Sequence, residues 1–161
     1  MTAEEYNKAV DDYSDSIYRF VLKNIRDKDK ASDIIQDTYE KLWRRIEDVT
    51  YQKVKSYLFT TAYHTMIDVI RKDRKSESCN SIEPEGYVHT SQYSDLQEVL
   101  HIALEQLPDI QRSVILLRDY EGYSYQEIAR ITGLNESQVK VYIYRGRVFL
   151  KNYIGRIEAV I

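Results

Sequence analysis

Apolar residues return at helical spacing from Tyr6 to about Ile25, where Val10, Tyr13, Ile17, Tyr18, Phe20 and Val21 predict a first amphipathic helix. The charged run Arg26 to Lys30 interrupts the pattern and reads as a turn. Ser32 is a suitable N-cap for a second helix, in which Ile35, Tyr39, Leu42, Trp43 and Ile46 form a stripe at three- and four-residue intervals. A polar loop, Glu47 to Lys55, precedes a third helix in SYLFTTAYHTMIDVIRKDRK. Its apolar side is Leu58, Phe59, Ala62, Tyr63, Met66, Ile67 and Ile70, and its end is strongly basic. The periodicity then stops between Ser76 and Asp95, a stretch with Ser, Pro, Gly, four acidic residues and no Lys or Arg, which predicts a flexible acidic linker. Beyond it, Leu96 to Leu107 carries Val99, Leu100, Ala103 and Leu104 inward. Pro108 suits the first turn of a following helix with Ile110, Val114 and Leu117 on its core side, ended by Gly122.

The last pair of elements is the most informative. Ser124 and Glu127 have the spacing of a reciprocal capping box, and Ile128, Ala129 and Thr132 continue that short helix. Gly133 stands where a left-handed residue ends it, and small Ala129 and Gly133 with Val139 fall where two helices pack closely. Asn135 and Gln138 then open another helix with Val139 and Ile143 on its inner face. Two capped helices around a glycine turn fit a helix-turn-helix, whose second helix can enter a major groove. They also fit an ordinary αα-hairpin. From Ser137 to Arg156 the ionisable residues are Lys140, Arg145, Arg147, Lys151 and Arg156, with tyrosines between them and no Asp or Glu, which suits phosphate contacts.

Composition narrows the choice. A chain of 161 residues, 43% hydrophobic and 30% charged, with five Gly and two Pro, fits an all-α protein of two small helical domains. Its boundaries are expected at residues 1–75 and 96–161, with the linker at 76–95. The formal net charge of -3 excludes a generic polyanion binder, so any nucleic-acid affinity must come from local patches. Cys79 is the lone cysteine, and the acidic N-terminus lacks the apolar core of a signal peptide, so a cytoplasmic protein is expected. His64, His89, His101 and Cys79 have no metal-ligand spacing, and the glycines are too scattered to cradle a phosphate. Neither catalysis nor a cofactor is expected.

Three stretches in order carry a resemblance that covers nearly the whole chain. ASDIIQDTYEKLWRRI resembles region 2.2 of the extracytoplasmic-function (group IV) sigma factors of bacterial RNA polymerase. SYLFTTAYHTMIDVIRKDRK resembles late region 2.3 with region 2.4, and LPDIQRSVILLRDYEGYSYQEIARITGLNESQVKVYIYRGR resembles region 4. The length matches the minimal two-domain group. The resemblance implies a transcription initiation factor that binds core polymerase, through the β′ clamp helices and the β flap, and directs it to minus-10 and minus-35 promoter elements. It also implies an anti-sigma factor as a partner, with any membrane link running only through that partner.

The resemblance assigns residues as well. Asp33, Gln36, Asp37 and Glu40 would meet the clamp helices. Val49, Thr50, Tyr51 and Gln52 would form the pocket that captures a minus-10 base, with Lys53, Lys55, Arg71, Lys72, Arg74 and Lys75 on phosphates. Tyr63, like Phe59, fits either the core or a base platform. His64 stands where many members have Asn, which alters the hydrogen-bonding geometry offered to minus-10 DNA. Glu136, Ser137, Gln138, Lys140, Tyr144, Arg145 and Arg147 would meet the minus-35 element, with Tyr142 where a basic residue is frequent. The linker would thread toward the polymerase active-site cleft.

Overall fold

The computed structural model is described over residues 1–77 and 96–160, and among these it contains helices and turns but no strand. The linker expected at 76–95 therefore lies almost wholly outside the described residues. Helix α1 runs Ala3–Ile25, α2 Lys28–Arg44 and α3 Val54–Glu77; α4 runs Leu96–Gln106, α5 Asp109–Ile115, α6 Tyr125–Thr132 and α7 Glu136–Val160.

Helix α1 begins a turn earlier than its apolar period. Thr2 Oγ1 accepts from the Glu5 amide at 3.1 Å while Glu5 accepts from the Thr2 amide at 3.0 Å, a capping box that serves two otherwise unpaired donors. The expected cap of α2 is different in the structure. Arg26 takes a left-handed conformation (φ 64°), which turns the chain in one residue and brings Asp27, not Ser32, to the cap position. Asp27 Oδ1 accepts from the amides of Asp29 and Lys30 at 3.0 and 3.1 Å, leaving Ser32 exposed inside the helix. The loop before α3 is likewise shorter than its polarity suggested. A 3₁₀ turn at Tyr51–Lys53 leads straight into Val54, which is fully buried.

The first three helices pack on one another around Ile17, Phe20, Leu42, Leu58, Phe59 and Met66. Each such side chain contributes about 1.5–3 kcal/mol on full burial, and this shared core is why α2 and α3 hold a fixed relative position. Trp43 leaves the stripe assigned to it: it is half exposed and meets Tyr6 edge-on at 5.1 Å. In the second half, α5 continues into a π-helical turn, Leu116–Tyr120, in which the Glu121 amide reaches back to Leu116 O. Gly122, with φ 76°, then releases the chain toward α6.

The two halves are packed together, chiefly α3 on α6 and α1 on α5. Phe59 and Tyr123 meet edge-on across the junction at 5.2 Å. At its centre lies Arg112, only 6% exposed. Nε donates to Leu104 O, Nη2 to Glu105 O and Leu107 O, and Nη1 to Asp109 Oδ1 and Asn24 O. All five guanidinium donors thus have acceptors, three of them carbonyls at and just past the end of α4, where Leu104 O also accepts from the Leu107 amide. Asn24 itself is held from both sides: Nδ2 donates to Phe20 O at 2.8 Å, and Oδ1 accepts from Ser113 Oγ at 2.9 Å.

One polar atom in this junction has no partner among the described residues, the Tyr123 hydroxyl. Burial, with Glu121 and Glu127 nearby, pushes its pKa well above the usual tyrosine range. Tyr123→Phe keeps the ring contact and removes the stranded group. A stabilisation of about 1 kcal/mol is expected, read as a higher midpoint in thermal or urea unfolding.

Candidate nucleic-acid and polymerase interface

The faces left after packing carry three groups of polar side chains. The first lies on α2. Asp33, Gln36, Asp37 and Glu40 fall at three- and four-residue intervals and share one side, with Asp37 partly shielded and the others exposed. Asp37 is paired to Lys41 at 3.1 Å, and Glu40 to Arg44. Asp33 and Asp37 also border a concavity of about 320 Å³ with Lys30, Ile34, Thr65 and Val69. Asp33 and Asp37 thus border this concavity, while the exposed Glu40 lies outside its lining.

The second group lies between α2 and α3, where a groove of about 480 Å³ is lined by Lys41, Arg44, Arg45, Tyr57, Thr60, Thr61, His64, Thr65 and Asp68. Of the residues the resemblance assigns to minus-10 DNA, His64 lines it. Val49 is 8% exposed and belongs to the core. Tyr51 turns toward α1, donating to Asp12 Oδ2 at 3.1 Å with Lys8 over its ring. Thr50, Gln52, Lys53 and Lys55 are exposed on the loop and at the start of α3. Tyr63 is buried at 5% exposure and meets His64 edge-on at 5.5 Å. Arg71, Lys72, Arg74 and Lys75 line the exposed end of α3, with Arg74 paired to Asp109.

Sequence reasoning missed the groove's α2 cations and Tyr57, Thr60, Thr61 and Asp68. Tyr57, Thr61, His64 and Asp68 recur at helical spacing, so the signal was present as a polar stripe. What hid it is that such a stripe has the same period whether it faces bulk water or lines a groove.

The third group is on α7. Asn135 Oδ1 accepts from the Gln138 amide at 2.8 Å and Gln138 Oε1 accepts from the Asn135 amide at 3.0 Å. Gln138 is thus partly engaged in capping the helix that it helps to start. Lys140 on α7 and Arg118 on the π-helical turn both approach the Tyr125 ring of α6, at 5.5 and 4.5 Å. Arg147 is paired with Asp119, whose hydrogen bond raises the arginine's pKa. Glu136, Ser137, Lys140, Tyr144 and Arg145 are exposed, Tyr144 by 70%, with Val141 exposed among them although its type suggested the interior.

Gly133 has φ 78°, and a Cβ built there would meet nothing within 4 Å. Its role is the left-handed turn and not the close packing expected of it. Close packing instead falls at Gly146, where a Cβ would run into the buried Ile115 side chain, which would have to shift, so α7 approaches α5 closely there.

A tight turn between two capped helices, the second presenting its cations and a tyrosine outward, has the geometry of a helix-turn-helix. Residues 97–150 match the sequence profile of Sigma-70 region 4, and residues 9–76 match that of Sigma-70 region 2. RNA polymerase sigma factor SigV of Bacillus subtilis is 32% identical, over 84% of this chain and 82% of its own length. The ECF RNA polymerase sigma factor SigM of the same organism is 28% identical, over 89% and 91%. Among solved structures, the sigma factor RpoE in complex with the anti-sigma factor NepR, from Bartonella quintana, superposes with a TM-score of 0.80 at 25% identity, covering 95% of this chain and 98% of that one.

The chain belongs to the ECF sigma factor family. It is a transcription initiation factor that directs RNA polymerase to promoters, not an enzyme. Among the described residues no helix is long and apolar enough to cross a membrane, and no group of His, Cys, Asp or Glu could hold a metal ion. Cys79 and His89 lie outside the described residues.

Gly133→Ala tests the turn directly. Because space is free, its cost is the left-handed backbone alone, roughly 1–2 kcal/mol. The expected result is a lower unfolding midpoint with faster amide exchange in α6 and the start of α7.

Proposed function

We propose that the three polar faces divide promoter recognition among them. The acid edge Asp33, Gln36, Asp37 and Glu40 meets the clamp helices of core polymerase, while the second half of the chain reaches the β flap. The single observation that carries this reading is the presence, on one α2–α3 scaffold, of an acidic edge beside a groove with Lys41, Arg44 and Arg45 at its rim. A polymerase surface rich in arginine suits the first, and a single DNA strand suits the second.

In this reading Lys41, Arg44 and Arg45 meet phosphates of the displaced minus-10 strand. Tyr57 and His64 offer rings and polar tips to its bases, at about 1–3 kcal/mol per stacked base. Thr50, Gln52, Lys53 and Lys55 border the same strand, and Arg71, Lys72, Arg74 and Lys75 continue the phosphate path along α3. On α7, Lys140 and Arg145 take minus-35 phosphates or base edges, Arg147 steadies the helix through Asp119, and Val141 with Tyr144 presents apolar surface to thymine methyls. The protein works in the cytoplasm, where core polymerase is found. An anti-sigma factor is its regulatory partner, as in the RpoE–NepR complex.

Asp37→Arg is expected to abolish co-elution with core polymerase while leaving the helical circular dichroism unchanged. Retained stoichiometric binding would remove Asp37 from the interface. Arg145→Ala is expected to weaken binding of the polymerase holoenzyme to promoter DNA. It should also flatten the plot of log affinity against log salt by about 0.9 for one lost phosphate. An unchanged slope with reduced affinity would assign Arg145 to a base edge instead.

A further inference from the structure

Lys140, Tyr144, Arg147 and Lys151 follow one another on α7 at three- and four-residue intervals, and all four are exposed. Arg147 thus shares the outer face that carries residues proposed above for the minus-35 element. It differs from its neighbours in being held by a carboxylate from another element. Nε donates to Asp119 Oδ2 at 3.2 Å and Nη2 donates to Asp119 Oδ1, a bidentate pair whose partners are both partly open to solvent. Asp119 lies within the π-helical turn Leu116–Tyr120, whose bond from the Glu121 amide to Leu116 O takes in one residue more than an α-turn. That turn is fixed on both sides. Leu116 and Leu117 are buried beneath it, while Arg118 Nη1 donates to Tyr123 O at 2.9 Å and its guanidinium lies over the Tyr125 ring. Asp119 is therefore offered to α7 from an anchored base.

The chemistry of the pair depends on which edge of the arginine it uses. A carboxylate on the Nε–Nη2 edge leaves the Nη1–Nη2 edge facing away from it, with the planar spacing that suits a second oxyanion. Arg147 lies about 16 Å along the axis from Glu136, beyond the N-terminal residues of a recognition helix that reach base edges, so the acceptor in its reach is a backbone phosphate. Phosphate contacts set the register of a helix in the groove. An arginine that is already held has lost its rotamer freedom on folding and not on binding, so its contact is strong only where a phosphate arrives in line with the fork. From a distance the pair is close to neutral. It adds little to the sequence-independent attraction that free cations supply, and Asp119 repels any phosphate that arrives out of line.

We propose that Asp119 is a positioning residue for promoter recognition: by fixing the fork of Arg147 it makes α7 take its phosphate in one register, which favours the matched minus-35 site over other DNA. This role rests on the reading above that α7 faces that element; the clamp itself does not. Removing the carboxylate leaves a mobile cation that neutralises a phosphate in any register. Affinity for unmatched DNA then holds or rises while the advantage of the matched site shrinks. Loss of a merely structural tie would instead weaken both.

The experiment uses holoenzymes assembled from core polymerase and full-length wild type, Asp119→Ala, Asp119→Glu, Arg147→Ala or the Asp119→Ala/Arg147→Ala double variant. The probes are a duplex that the wild-type holoenzyme enriches from a pool randomised over the minus-35 element, and the same duplex with that element shuffled. Asp119→Ala is expected to lower the affinity ratio between the two duplexes by about five- to tenfold, with affinity for the shuffled duplex unchanged or higher. Asp119→Glu should keep most of the ratio. In the Arg147→Ala background, Asp119→Ala should change it no further. In the free chain, the Arg147 Nε–H signal in proton–nitrogen NMR should exchange slowly in the wild type and fast in Asp119→Ala. A ratio that survives Asp119→Ala, a parallel loss of affinity for both duplexes, an undiminished effect without Arg147, or fast exchange in the wild type would overturn the proposal. A wild-type holoenzyme that enriches no minus-35 sequence would overturn the functional reading, and the recognition role of Asp119 with it, even where slow exchange shows that the clamp exists.

Discussion

A buried guanidinium must have all its donors met, and in this chain that constraint falls on Arg112. Its fork closes the end of α4 by serving the carbonyls of Leu104, Glu105 and Leu107, and the same group reaches Asn24 near the end of α1. One side chain thus completes a helix terminus within its own half and points a donor into the other. A lysine could not do this, because a point charge with three donors lacks the planar reach to five acceptors. The short connection through Pro108, the start of α5 and the seat of the second half on the first all converge on that geometry.

The surrounding charges explain how a protein with net charge -3 can serve a polyanion. Its acids and bases are sorted by face. Acids outnumber bases on α1 and balance them on α2, while cations are in excess at the end of α3 and along α7. Only short-range fields matter at physiological salt, where screening acts over about 8 Å, so a local cationic face behaves independently of the whole molecule's sign. The same sorting lets the junction use electrostatic complementarity: the first half's cations meet carboxylates supplied by the second.

Helix by helix, most of the fold was legible. The apolar periods of α1, α2 and α3, the Ser124–Glu127 box, the left-handed Gly133 and the Asn135–Gln138 start all follow from local rules, because each depends on residues within one or two turns. The errors were local competitions decided by one neighbour. Asp27 displaced Ser32 as a cap once Arg26 took the left-handed turn, and Trp43 lost its place inside because the inner side of α2 is filled by Ala31, Ile34, Thr38 and Leu42. The candidate site was legible as residue types and less so as places. Asp33, Gln36, Asp37 and Glu40 do share a side, and the α7 set does face outward, yet Val49 and Tyr63 are interior and the groove with Tyr57 and Thr61 was not foreseen.

Sequence alone determined the helices, the caps of the last two of them and the family, since these rest on spacing, turn chemistry and the order of motifs. Tertiary structure decided which polar stripe lines a groove, why Arg112 is buried, that Gly146 rather than Gly133 is the close approach, and that the two halves embrace. Those outcomes depend on residues as far apart as Asn24 and Ser113 meeting in space. A periodic pattern shows that a side chain shares a helix face with its neighbours; it contains nothing about what another helix will place opposite that face.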